Sequence, residues 1–143
     1  MMIQQLSVFL ENKAGTIVPV AKILSDNGID MRAMSIADTS DFGILRLIVD
    51  DPEKTKQVLA KENYIYNITP VLAVEVADHP GSLLRILSVL RDAGINLEYA
   101  YAFITRKAGS AYMIFRVDDP EKTVDILREA GISMASQKEL YSL

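Results

Sequence analysis

The sequence predicts an α+β protein built from two βαββαβ units, each an antiparallel sheet with both helices on one face. Three observations predict it. The heptapeptide VDDPEKT occurs at 49–55 and again at 117–123. Sliding the chain by 66 puts Leu6 on Leu72, Val8 on Val74, Gly15 on Gly81, Leu24 on Leu90 and Gly28-Ile29 on Gly94-Ile95. Within each copy the apolar period switches between two and 3.6 in the order strand, helix, strand, strand, helix, strand. Self-similarity at a long period marks a duplicated unit, and the copies divide at 1–70 and 71–143.

The opening strands alternate, with Leu6, Val8 and Leu10 on one face, as are Leu72, Val74 and Val76. A glycine loop follows each. Ile17, Val20, Ala21 and Leu24, and then Leu83, Ile86, Leu87 and Leu90, recur at helical spacing up to the stops Gly28 and Gly94. Pro19 fits only if it lies in the first helical turn. Two extended runs come next: 29–38 with 44–49, and 95–105 with 111–117. The offset grows to 68 at TRKAGS, which replaces TSDF, an insertion that a hairpin tip tolerates.

Asp51 and Asp119 then have the form of helix N-caps, with Pro52 and Pro120 at the first helical position and Glu53 and Glu121 in the first turn. Val58 and Leu59, and Ile126, Leu127 and Ala130, face the core from these helices. Closing strands are expected last, over 134–140 in copy two. Its counterpart, 66–72, already contains the start of the next copy, so segment 63–71 is expected to cross between units, or to exchange as a strand, rather than to form an ordinary terminal strand, with Pro70 at a bend. The units are expected to pair side by side through their second strands, which hides one open edge of each.

Composition excludes several classes. Net charge is −4, two from each copy, and no basic patch suggests nucleic acid. The chain has no cysteine, so disulfide and thiolate chemistry are absent. No apolar run approaches the roughly 20 residues that span a bilayer, and MMIQQLSVFLENK has no secretory pattern. A cytoplasmic protein is expected. His79, the single histidine, has no second ligand type at metal spacing and reads as a loop residue beside Pro80. Ser82 and Ser110 have no nucleophile-elbow setting and no evident base. Tyr99, Tyr101 and Phe103 alternate on a sheet face, and Met31 and Met34 read as core and interface filler. No enzyme signature emerges, and no catalytic residue, metal or cofactor is expected.

The junctions LENKAGTI and VADHPGSL, each followed by a helix ending in Gly-Ile-Asp or Gly-Ile-Asn, resemble those of ACT domains, which are ferredoxin-like βαββαβ regulatory units that bind amino acids. The resemblance covers nearly the whole chain, with Ala14 where proline is usual and Asp78 where asparagine is commoner. Gly15 and Gly81 suit close approach of a ligand to the backbone. The N–H groups at Gly15, Thr16 and Ile17, and at Gly81, Ser82 and Leu83, open helices whose N-termini favour a carboxylate. Asn12 and Asp78 could meet an ammonium or simply cap those helices. The resemblance adds Pro80 to the second loop. It also adds Asp30 and Asn96, at a position that in ACT pairs reaches the partner domain's loop.

An Asn12–Asn96 pocket would suit a zwitterion better than an Asp78–Asp30 pocket, where two carboxylates repel the ligand's own. The resemblance implies a regulatory protein that senses a free amino acid between two ACT domains and acts on a separate metabolic enzyme, with room for a homodimer. The alternatives are a ligand-free assembly module and a regulatory subunit similar to the small chain of acetolactate synthase.

Overall fold

A computed structural model describes residues 2–38, 42–106 and 108–143. The tip of the first hairpin (39–41) and Lys107 in the second lie outside the described residues. The chain forms two compact units, one of Gln4–Thr69 and one of Pro70–Leu143 joined by the chain's first residues.

In the N-terminal unit, β1 (Ile3–Glu11), α1 (Ile17–Asp26), β2 (Met31–Asp38), β3 (Phe42–Val49) and α2 (Pro52–Lys61) follow in order. β3 pairs antiparallel with both β1 and β2, with Leu10 opposite Gly43 and Ile36 opposite Leu45. On the other side of β1 lies the start of β4 (Tyr66–Ala77), where Ser7 Oγ is 3.1 Å from Thr69 Oγ1. Leu6, Val8, Leu45, Leu47 and Val49 form the sheet side of the core, beneath Val20 and Leu24 of α1 and Leu59 of α2. Pro19 is the third residue of α1, where no donor is required of it.

The C-terminal unit repeats the pattern with the rest of β4, α3 (Ser82–Asp92), β5 (Leu97–Phe103), β6 (Ser110–Val117), α4 (Pro120–Glu129), β7 (Met134–Ala135) and α5 (Gln137–Leu140). β6 lies between β4 and β5, and β7 pairs with β4 through Val74–Met134 and Ala73–Ala135. Leu72, Val74, Val76, Phe115 and Val117 pack against Ile86, Leu90 and Leu127. Both sheets therefore have the antiparallel order of the split βαβ fold.

Two expectations change. Pro70 marks no bend: β4 runs unbroken for 12 residues, four in the N-terminal unit and eight in the C-terminal one. Segment 134–140 is not one strand. It is the two-residue β7 followed by α5, a short helix with a complete capping box between Ser136 and Glu139.

Candidate functional site

The first glycine loop turns the chain from β1 into α1. Gly15 has φ +81°, a left-handed conformation that glycine adopts without penalty. A Cβ built there meets nothing within 4 Å, so backbone conformation rather than protein packing requires glycine. The N-cap of α1 is Thr16, not Asn12, and the Thr16 side chain makes no cap hydrogen bond. The Thr16 hydroxyl instead bonds back to the carbonyls of Glu11 (2.9 Å) and Lys13 (3.0 Å), closing the loop. First-turn N–H groups lack intrahelical partners and form the positive end of the helix dipole.

A cavity of about 320 Å³ opens beside this helix start. Asn12, Gly15, Thr16 and Ile17 line it, whereas Ala14 does not. Glu11 and Lys13 join the lining and form a 2.8 Å ion pair between exposed side chains. The hydrogen bond from Lys13, reinforced by its charge, holds the Glu11 carboxyl below the usual carboxylate range, and Glu11 raises Lys13 in return. This pair can exchange its mutual contact for the ammonium and carboxylate of a zwitterion. Leu10, Val18, Ile36, Gly43 and Leu45 complete the wall.

The second loop differs. Gly81 has φ +91° and is itself the N-cap of α3, again without a side-chain cap, so Asp78 caps nothing. Ser82 Oγ lies 3.0 Å from His79 Nδ1, which is also 3.2 Å from the Pro80 carbonyl oxygen. Ser82 thus has a basic neighbour, but the ring is engaged in a local turn. His79, Gly81 and Ser82 line a cavity of about 340 Å³ with Glu75, Arg85 and Ser110, whose Oγ is buried without a hydrogen-bond partner. Asp78, Pro80 and Leu83 lie outside that lining.

Asp30 and Asn96 sit at the start of β2 and β5, at the far end of their own units from the glycine loops. Each is tied there by its backbone: Asp30 N–H donates to Asp50 Oδ1 (3.0 Å) and Asn96 N–H to Asp118 Oδ1 (3.1 Å). The Asp30 carboxylate lies 3.5 Å from the buried Arg32 guanidinium.

Sequence reasoning missed Glu11 and Lys13, although both flank Asn12 in LENKAG. It could not find Ile36 or Gly43, because the β2–β3 register brings them to the loop. No helix is long and apolar enough to cross a membrane, and no cluster of potential metal ligands occurs, in both cases among the described residues.

Comparison with known proteins agrees with this fold. The chain is similar over its whole length to protein BT0572 from Bacteroides thetaiotaomicron, with 35% identity, 98% of that chain covered and a TM-score of 0.92. The ligand-free regulatory subunit of aspartate kinase from Thermus thermophilus shares the fold at 12% identity and a TM-score of 0.63, over 90% of this chain and 93% of that one. The corresponding subunit from Thermus flavus does so at 14% and 0.55, with the same coverage. No curated protein matches the sequence. The model of the ACT domain pair matches residues 1–143, and the chain belongs to that family.

Proposed function

We propose that the chain is a non-catalytic regulatory protein that senses a free amino acid through its glycine loops and passes the signal to a separate metabolic enzyme. The observation that carries this reading is the convergence at the first loop. The helix start at Thr16 and Ile17, Asn12 and the Glu11–Lys13 pair border one cavity, offering donors for a carboxylate and acceptors for an ammonium. Its volume lies within the range of small-molecule pockets. The aspartate kinase regulatory subunits share only the fold, so the reading rests on this site.

Asn12, Gly15, Thr16 and Ile17 form the primary site in this proposal. The loop of Asp78, Pro80, Gly81, Ser82 and Leu83 is secondary, and Asp30 or Asn96 of an adjoining ACT unit closes over a bound ligand. A ligand shifts such an equilibrium only by its differential affinity, typically about 1–3 kcal/mol of coupling. Isothermal titration calorimetry with the twenty amino acids tests the proposal. At least one should bind wild type at millimolar concentration or below, and Gly15→Val, strained at φ +81°, should lose it. Absence of heat from all twenty would overturn the sensor reading.

A further inference from the structure

We infer that the first glycine loop is shaped for an amino acid with an aliphatic side chain; the inference rests on the proposed function and names its ligand class. Gly43 faces Leu10 across the β1–β3 ladder, and Ile36 faces Leu45 across β2–β3. Leu45 points to the helix-covered side, where it packs in the core, so all four positions share that face. Because Gly43 has no side chain, the sheet is hollow at this point, just beyond the start of α1. The hollow is floored by Leu10, Ile36 and Leu45 and walled by Ile17 and Val18. Val18 and Ile36 are 66% and 51% exposed, apolar surface that a ligand side chain would cover.

The charged groups of this cavity, Glu11 and Lys13, belong to the loop that would receive the zwitterion. None is on the floor, so a charged ligand side chain would be desolvated there without a partner. The duplicated half lacks this floor. Ala102 and Ala111 occupy the positions equivalent to Ile36 and Gly43, and its cavity turns instead toward Glu75, Arg85 and Ser110.

Calorimetry on the full chain with alanine, 2-aminobutyrate, norvaline and leucine, beside glutamate, lysine and glutamine, provides the test. Affinity should rise about fourfold for each methylene buried, and the polar set should bind at least about tenfold more weakly than leucine. Gly43→Val should fill the hollow and weaken leucine at least about tenfold. A Cβ at Gly43 meets only the Ala37 carbonyl oxygen at 3.7 Å, so the strand should persist, checked by circular dichroism. Ile36→Ser, at a half-exposed position, gives a second variant with little bearing on the core.

Tighter binding of glutamate, lysine or glutamine than of leucine, lost in Gly15→Val, would overturn the inference while sparing the proposed function. Unchanged leucine affinity in folded Gly43→Val would also overturn it. So would an Ile36→Ser variant that alters only sedimentation, since the apolar patch would then serve contacts between copies. Absence of binding by any amino acid would overturn both readings.

Discussion

Asp51 and Asp119 accept hydrogen bonds from the N–H groups of Lys54 (3.0 Å) and Lys122 (3.2 Å), and the other letters of VDDPEKT have equally local duties. Val49 and Val117 are buried in the two cores. Asp50 and Asp118 hold the backbones of Asp30 and Asn96. Lys54 and Lys122 reach the carbonyls of Asn27 and Ala93 at the ends of α1 and α3. Thr55 and Thr123, fully buried, donate to the carbonyls of Asp51 and Asp119. The repeat is verbatim because each unit needs the same clamp between its two helices and the start of its second strand. Replacing Asp119 with alanine should cost about 1 kcal/mol in urea unfolding, with a similar loss for Asp51→Ala. The capping was legible because it uses neighbours in sequence. The lysine and Asp50 contacts are not local in sequence, lying 20 or more residues apart, and were not legible.

The four long helices divide into two kinds. α2 and α4 carry aspartate caps, whereas Thr16 and Gly81, the N-cap residues of α1 and α3, make no side-chain cap hydrogen bond. There the backbone takes over part of that role: the Val18 N–H donates to the Gly15 carbonyl and the Ser82 N–H to the His79 carbonyl, both at 3.3 Å. The strand–helix order was legible because apolar period distinguishes the elements. α5 was not, because the repeated unit calls for a closing strand over 134–140 while the Ser136–Glu139 box went unread. Its Leu140 is fully buried. Leu140→Ala should therefore destabilise the protein by about 2–5 kcal/mol, measured by urea denaturation. A loss under about 0.5 kcal/mol would show that α5 merely rests on the surface.

The whole molecule turns on β4, which closes one sheet and opens the other within a single strand. Zero linker length was legible in the overlap of the two copies around residue 70. The passage of β4 straight through Pro70 was not, because a proline after an extended run reads as a turn signal. A chain passing from Thr69 to Pro70 inside a strand has no slack. Inserting Gly-Ser-Gly-Ser between Thr69 and Pro70 should interrupt the strand and lower the Tm by at least about 5 °C, read by circular dichroism. An unchanged Tm would mean that the junction already behaves as a linker.

The placement of the first residues has a consequence for biosynthesis. Ile3 is fully buried and belongs with Pro70–Leu143, and Met2 packs against that unit's core. A nascent chain emerges N-terminus first. Met2 and Ile3 are made well before the segment that houses them, because the core on which Met2 packs includes Leu127 and Met134. While translation continues, Gln4–Thr69 can acquire its strands and helices, but the apolar start of β1 stays bare until α4 and β7 have emerged. A nascent-chain chaperone has its longest opportunity there.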